Sequence, residues 1–244
     1  MKVFLRSLAF NLYFVGLTVV LGIAGFGVRW FAPDRALAYA QFWARLVLAG
    51  LRRLCGIYPV LVGAEHLPAA GPALLASQHQ SAYDTLVWLT LLPKPTYVMK
   101  QELRYIPLFG PLTPLAGMIL IDRKAGVQAL RALLAATRRA VAEGRQIIIF
   151  PEGTRARPGE RLPLQPGVAA MAAAARLPVI PVATDSGLRW GRRSFLKRPG
   201  PVHLIVGTPI AADGSREALL EAIRGAWDRA MAVDSAVEKA PERV

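Results

Sequence analysis

Two hydrophobic patterns divide the chain. Residues 8–28 carry no charge, and as a helix they would be about 32 Å long, enough to cross a hydrocarbon core of about 30 Å. After a break at residues 33–34, apolar positions recur at helical spacing over residues 35–54. The pattern therefore predicts a membrane-associated helical hairpin at residues 1–56, followed by a separate folded domain at residues 57–232.

The folded domain alternates short runs of β-branched residues with longer helical stretches. Strands are predicted at residues 59–62, 73–77, 96–99, 118–121, 146–150, 179–183 and 202–207, and helices at 84–92, 126–142, 167–175 and 216–232. This alternation is typical of an α/β fold with a largely parallel central sheet flanked by helices. Residues 233–244 are charged and uncapped, and we expect them to form a frayed tail.

The N-terminal apolar stretch is open to several interpretations. Small residues at positions 36–40 resemble a cleavage site, but the stretch exceeds the usual apolar region of a signal peptide, which is about 7–15 residues. A transmembrane helix and a helix buried in one leaflet both fit. Arg45, Arg52, Arg53 and the nearby Trp30 and Trp43 favour a hairpin at the membrane interface. An amphipathic helix packed on the domain is the remaining alternative.

Composition narrows the class of protein. The chain has 244 residues, of which 54% are hydrophobic and 19% charged, and this balance excludes a disordered chain. Thirty Lys and Arg against 16 Asp and Glu give a net charge of +14. Such a surplus indicates an anionic partner: lipid headgroups, phosphorylated substrates, nucleic acid or an acidic protein. The single cysteine, Cys55, gives no sign of an oxidising compartment.

A candidate general base follows the predicted strand at residues 73–77. On a continuous helix a five-residue offset leaves two side chains about 140° apart, so we expect His79 in the loop and Asp84 at the start of the next helix. A carboxylate on one ring nitrogen raises the basicity of the other. Alternatively, Asp84 is a simple helix cap, since this spacing is common by chance. His66 and His203 are scattered and no Cys/His cluster exists, so no metal site is predicted.

Charged and polar residues follow the other predicted strands. They are Lys100 after residues 96–99, Arg123 after 118–121, and Glu152, Gly153, Thr154 and Arg155 after 146–150. Parallel strands bring such residues to one edge of the sheet, where α/β folds bind ligands. Arginine grips phosphate bidentately, and a Gly-Thr turn offers backbone and hydroxyl donors. A base beside several cations suits a reaction on a phosphorylated alcohol.

Five ordered blocks resemble a known family. They are H-Q-S-A-Y-D (79–84), K-Q-E-L with I-P-L-F-G (100–110), G-M-I-L-I-D-R (117–123), F-P-E-G-T-R (150–155) and V-I-P-V (179–182). This order resembles the glycerophospholipid acyltransferase superfamily, and more closely its bacterial 1-acyl-glycerol-3-phosphate (lysophosphatidic acid) acyltransferases. One departure is Gln78, where many members have Asn or Lys, and it bears on the headgroup preference.

The resemblance implies an activity in phospholipid biosynthesis, the formation of phosphatidic acid. His79 would deprotonate the sn-2 glycerol hydroxyl, which attacks an acyl thioester, with Asp84 orienting the imidazole. The substrate phosphate would lie among Arg123, Glu152, Gly153, Thr154 and Arg155, with Lys100 a weaker assignment, and Pro181 would shape the acyl site. The family needs no bound cofactor, because acyl-CoA or acyl-acyl carrier protein is a co-substrate. Such an enzyme is expected on the cytoplasmic face of the bacterial inner membrane.

A basic segment at residues 188–198 has five cations, no acid and two aromatic residues. It suits an anionic membrane, the phosphates of CoA or an acidic carrier protein, or nucleic acid. The apolar N-terminus favours the membrane or donor interpretation, so no nucleic-acid partner is predicted. Two alternatives to the phosphatidic acid reaction remain: acylation of another lyso-lipid, such as a phosphate-free lyso-ornithine lipid, and a non-catalytic basic protein that binds membrane or nucleic acid.

Overall fold

A computed structural model describes residues 1–239, and in this part of the chain one sheet forms the centre of the molecule. Its strands are β1 (Ile57–Val62), β2 (Ala73–Ser77), β3 (Pro95–Lys100), β4 (Ile119–Ile121), β5 (Gln146–Ile149), β6 (Val179–Thr184) and β7 (Gly200–Val206). The order across the sheet is β1-β7-β6-β2-β5-β3-β4. The five strands from β6 to β4 are parallel, β7 is antiparallel to β6, and β1 is parallel to β7. The predicted α/β fold with a largely parallel sheet is confirmed.

Helices flank this sheet and precede it. They are α1 (Lys2–Phe31), α2 (Ala36–Cys55), α3 (Tyr83–Leu91), α4 (Leu112–Leu115), α5 (Val127–Ala142), α6 (Gly167–Ala175), α7 (Ser186–Arg189) and α8 (Arg216–Lys239). The short α4 and α7 have no counterpart in the sequence pattern. Helix α8 continues into the segment expected to fray at residues 233–244, and residues 240–244 lie outside the described residues.

Both faces of the sheet are buried, and this explains the continuous apolar runs of its strands. Along β5, Ile148 packs in a cluster with α1, α2 and α3, whereas Ile147 packs in a second cluster with α5, α6 and α8. Along β2, Leu75 and Leu74 divide between the two clusters in the same way. Successive side chains of a strand point to opposite faces, so every position in these runs meets a helix layer.

The N-terminal helices α1 and α2 pack against each other as an antiparallel hairpin. Three hydrogen bonds show the register, from Tyr13 Oη to Leu46 O (2.9 Å), from Trp43 Nε1 to Thr18 Oγ1 (3.1 Å) and from Tyr39 Oη to Leu21 O (2.6 Å). Gly50 lies directly against the Tyr13 ring, where a Cβ atom would collide. By length and composition, α1 is able to cross a membrane. Its outer face exposes apolar side chains, among them Leu12, Val15, Val20, Ile23 and Trp30.

Candidate active site

The centre of the candidate site is the pair His79 and Asp84. His79 lies in the loop after β2, and Asp84 lies in the first turn of α3, with His79 Nδ1 3.1 Å from Asp84 Oδ2. The fully buried Asp84 also accepts the backbone N–H groups of Gln80 and Ser81, both at 2.8 Å. These donors stabilise a carboxylate anion. We infer from this network that Nδ1 carries the imidazole proton, which leaves Nε2 as the basic nitrogen.

Glu152 contacts the backbone of His79 and does not line the cavity with the cations. Its Oε2 accepts the backbone N–H of His79 at 2.7 Å, and the residue is 7% exposed. Burial raises the pKa of Glu152 to about 7, although its hydrogen bond from His79 acts in the opposite direction. The backbone N–H of Ala156 donates to His79 O at 2.8 Å, so the loop after β5 holds the His79 backbone at both polar groups. The expected contact of Glu152 with the substrate phosphate therefore has no counterpart in this geometry.

Aromatic stacking fixes the plane of the His79 imidazole. The Phe150 ring stacks on His79 with centroids 4.1 Å apart and an interplanar angle of 20°. Tyr97 stacks on Phe150 in turn, at 6.1 Å, and its hydroxyl donates to Thr85 O at 2.9 Å. Burial raises the pKa of Tyr97 well above its ordinary value, so the hydroxyl stays a neutral donor. The stacking of Phe150 on His79 could not be predicted from the sequence, because an apolar residue at the end of a strand does not indicate which ring it contacts.

Five cations line one cavity together with His79. They are Lys100, Arg123, Arg155, Arg192 and Arg193, and no Asp or Glu occurs among the described residues that line it. Arg123 Nη1 donates to Gly153 O at 3.0 Å, which joins the loops after β4 and β5. Burial lowers the pKa of Arg155, and the nearby Arg192 acts in the same direction. A cavity with this charge balance favours an anionic ligand beside the base.

The cavity continues from the cations into an apolar region, and its volume is about 510 Å³. The apolar walls come from the N-terminal hairpin and from the segment before β4, and they include Leu21, Gly22, Ala40, Trp43, Leu108, Phe109 and Leu112. Gly153 and Thr154 also line this cavity. The sequence pattern indicated a lipid-seeking hairpin but not that its inner face forms a wall of the site. Long-range packing of this kind leaves no local signature.

The structure does not bring Pro181 to the cavity. Pro181 is buried in β6 opposite Ala76 of β2, and its carbonyl accepts the Gly207 N–H at 2.8 Å. The expected placement of Pro181 at the acyl site is therefore not seen, because the V-I-P-V block is an interior strand. The V-I-P-V block instead contacts the loop that carries His79, because Gln78 N–H donates to Val182 O at 2.9 Å.

Gln78 is turned toward the same strand. Its side-chain oxygen accepts the Thr184 N–H at 3.1 Å. This bond ties the residue before His79 to β6, so the family departure at position 78 serves the loop rather than a substrate contact.

A second His–Asp pair lies away from the cavity. His203 in β7 places Nδ1 2.9 Å from Asp185 Oδ2, and its backbone N–H donates to Asp185 Oδ1 at 2.7 Å. Neither residue lines the cavity. Within the part of the chain that the structure describes, no three His, Cys, Asp or Glu side chains come together as metal ligands.

A histidine paired with a carboxylate, five cations and apolar walls in one cavity suit a group-transfer enzyme that acts on an anionic, partly apolar substrate. Residues 59–185 match the family model described as Acyltransferase, and this stretch reaches from β1 to the end of β6. The chain belongs to this acyltransferase family.

Two proteins of similar sequence and one of similar structure each align with more than half of this chain. The 1-acyl-sn-glycerol-3-phosphate acyltransferase of Pseudomonas aeruginosa is 31% identical over 212 residues, which are 86% of this chain and 82% of the relative. The 1-acyl-sn-glycerol-3-phosphate acyltransferase alpha of Homo sapiens is 33% identical over 143 residues, 58% of this chain and 50% of the relative. The crystal structure of the 1-acyl-sn-glycerophosphate acyltransferase of Thermotoga maritima covers 100% of both chains with a TM-score of 0.74 at 23% identity, and it shows the shared fold.

Proposed function

We propose that the protein transfers a fatty acyl chain from a thioester donor to the sn-2 hydroxyl of 1-acyl-glycerol 3-phosphate, giving phosphatidic acid. The observation that carries this proposal is that His79, five cations and an apolar surface line the same cavity. The acceptor has the same division, with a phosphate and a fatty chain on either side of the reacting hydroxyl. The names of the relatives from P. aeruginosa and H. sapiens agree with this substrate.

The reaction needs one base. His79 Nε2 takes the proton from the acceptor hydroxyl as its oxygen attacks the thioester carbonyl carbon, and Asp84 stabilises the imidazolium that forms. The tetrahedral intermediate then collapses, the C–S bond breaks, and the imidazolium returns the proton to the leaving thiolate. A thioester is reactive enough for this route with a base and hydrogen-bond donors, so we expect no bound cofactor. Acyl-CoA or acyl-acyl carrier protein acts as co-substrate.

The cations at the β3, β4 and β5 ends suit the acceptor phosphate. Arg123 donates to Gly153 O. Arg155 is half-buried in the loop after β5, and Lys100 at the end of β3 lines the same cavity. Held guanidinium groups bind phosphate with little further ordering, which favours tight and directional contacts. Because these cations face a cavity with apolar walls, we propose a lipid partner rather than nucleic acid.

The hairpin suits a location at a membrane. Its outer face exposes apolar side chains along α1, while its inner face lines the cavity. A lipid acceptor would then reach His79 without leaving the apolar phase completely. We propose that the protein works at the cytoplasmic face of a bacterial inner membrane, where acyl-CoA and acyl carrier protein occur and where basic surfaces are favoured.

Product analysis by mass spectrometry tests the reaction and the headgroup together. Detergent-solubilised protein receives oleoyl-CoA with either lysophosphatidic acid or a phosphate-free lyso-ornithine lipid. We expect phosphatidic acid from the first acceptor and no product from the second. Arg123→Ala should raise the KM for lysophosphatidic acid about tenfold or more, since it removes a charge-assisted contact. The control is Arg138→Ala, an exposed arginine of α5 that does not line the cavity. Turnover of the phosphate-free acceptor at the same rate would contradict the phosphate assignment.

A further inference from the structure

The basic segment 188–198 is anchored to α1 by a buried lysine. Lys197 is 3% exposed, and its ammonium group donates to Asn11 Oδ1 at 2.8 Å, Phe195 O at 2.9 Å and Ser194 O at 3.1 Å. It also lies 4.9 Å from the centroid of the Trp190 ring. The Lys197 backbone N–H donates to Ser7 Oγ at 2.9 Å. All of its ammonium donors are used, so this lysine acts as a rigid support for the turn that precedes it.

That turn directs two arginines to the cavity. Arg192 and Arg193 both line it, and both are reachable from water. Arg192 Nη1 donates to Arg155 O at 3.3 Å, which connects the turn to the loop after β5. Arg193 has a φ of 55°, a left-handed conformation that costs a non-glycine residue free energy. Such a conformation persists only when its surroundings impose it, and here Lys197 holds the same turn.

The strand order places His79 between two groups of cations. His79 follows β2, and on one side of β2 lie β5, β3 and β4, whose ends carry Arg123 and Lys100. On the other side lies β6, whose connection to β7 carries Arg192 and Arg193. An acyl transfer from a CoA-type donor brings two phosphate-bearing molecules to one base. Their reacting groups must meet at the imidazole, so cations around it have to accommodate the phosphates of two molecules.

We propose that Arg192 and Arg193 bind the phosphates of a CoA-type thioester donor, while Arg123 and Lys100 bind the phosphate of the acceptor. This inference rests on the proposed acyl transfer. The two arginines are adjacent in sequence and open to water, as a polyphosphate arriving from the aqueous phase requires. They lie in the connection between β6 and β7, on the opposite side of β2 from the strand ends that carry Arg123 and Lys100. The loop after β5 lies between the two groups, because Arg155 O accepts from Arg192 Nη1 and Gly153 O accepts from Arg123 Nη1.

Substrate-specific KM values test this division. The double variant Arg192→Ala/Arg193→Ala is compared with the wild type on oleoyl-CoA and on S-oleoyl-N-acetylcysteamine, which has the same thioester but no phosphate. We expect the KM for oleoyl-CoA to rise about tenfold or more, because two charge-assisted contacts are lost. The KM for lysophosphatidic acid should stay within about twofold. With the phosphate-free donor, the deficit of the variant relative to wild type should disappear.

The matched control is Arg198→Ala, because Arg198 is exposed in the same segment but does not line the cavity. Arg193→Gln provides a second variant with a smaller change, which guards against a folding defect in the double variant. A rise in the KM for lysophosphatidic acid alone would assign both arginines to the acceptor and overturn the division. An equal deficit with both donors would overturn it as well. A wild type that forms phosphatidic acid from acyl-acyl carrier protein but not from oleoyl-CoA would overturn this inference alone. A wild type that forms none from any of the three donors would overturn the proposed function, and this inference with it.

Discussion

Two His–Asp pairs in this protein share a geometry and differ in surroundings. His79 lies 3.1 Å from Asp84 and His203 lies 2.9 Å from Asp185, and the two imidazole side chains are 13% and 16% exposed. In each pair the contact uses Nδ1 and the aspartate also accepts backbone N–H groups. Yet only His79 lines the cavity among the four residues. Contact with a carboxylate is common to both histidines, so the proposed role of His79 rests on its position in the cavity with the cations and the apolar walls.

The two aspartates also hold different parts of the fold. Asp84 accepts from Gln80 and Ser81, so it orders the loop that carries His79. Asp185 accepts from the His203 backbone and thereby fastens the end of β6 to β7. Loss of the first should affect the reaction, and loss of the second should affect stability.

Replacing the two histidines should separate catalysis from stability most clearly. His79→Ala should lower kcat about 1,000-fold, because a positioned general base contributes about 10²–10⁴ to the rate. His203→Ala should keep kcat within about threefold but lower the Tm by several degrees, since buried Asp185 loses a partner. Initial rates of phosphatidic acid formation and thermal unfolding in the same detergent provide both readouts. Comparable rate losses in the two variants would remove the distinction between the pairs.

Replacing the aspartates by asparagine should give a smaller but parallel contrast. Asp84→Asn keeps an oxygen that accepts from Gln80 and Ser81, but it loses the charge that stabilises the imidazolium. We expect kcat to fall about 100-fold. Asp185→Asn should leave kcat close to that of the wild type and lower only the free energy of unfolding. The kcat values and denaturant midpoints of both variants test this, and a rate loss in Asp185→Asn alone would contradict the assignment of roles.

Glu152 should produce the smallest effect on the rate and a distinctive dependence of stability on pH. Its pKa is raised from an ordinary value of 4.5 to about 7 by burial. The neutral form is therefore favoured in the folded state, and ionisation opposes folding as the pH rises through 7. Glu152→Gln keeps an acceptor for the His79 N–H and does not ionise. Between pH 5 and 8 the free energy of unfolding of the wild type should fall relative to this variant, by on the order of a few kcal/mol.

Chemical denaturation at several pH values measures this difference. The control is Glu221→Gln, an exposed carboxylate on α8, for which the difference from wild type should not change with pH. At pH 8, Glu152→Gln should retain at least a tenth of the wild-type kcat, about the limit for a residue that only positions the base. A flat difference for Glu152→Gln would show that its carboxyl is ionised in the folded protein throughout this range, and would contradict the raised pKa.

The parts of the fold that were predictable have local or repeated signals. The strands were visible because burial on both faces makes their residues apolar without interruption, as Ile147 and Ile148 show. The contact of His79 with Asp84 was predictable because it depends on one loop and the first turn of α3. The five ordered blocks placed Arg123 and Arg155 near this base before the structure did.

The remaining features depend on long-range packing. The pair His203–Asp185 joins residues 18 positions apart through the pairing of β7 with β6, whose antiparallel direction no local pattern reveals. Glu152 was expected at the phosphate because its block is shared with the family, but a side chain three residues beyond a strand can turn either way. The walls that α1 and α2 give to the cavity exist only once the hairpin has packed against the domain. The residue pattern alone indicates only that the hairpin has an apolar outer face.

The lysine that joins α1 to the basic segment has a consequence for biogenesis. Ser7 and Lys197, which this contact brings together, are 190 positions apart in the chain. During synthesis α1 emerges long before its partner exists, so this contact forms only after most of the chain has followed. A shortened protein without α1 would leave the Lys197 ammonium without Asn11 and would open one wall of the cavity. Removing the apolar helix to gain solubility would thus also remove part of the enzyme.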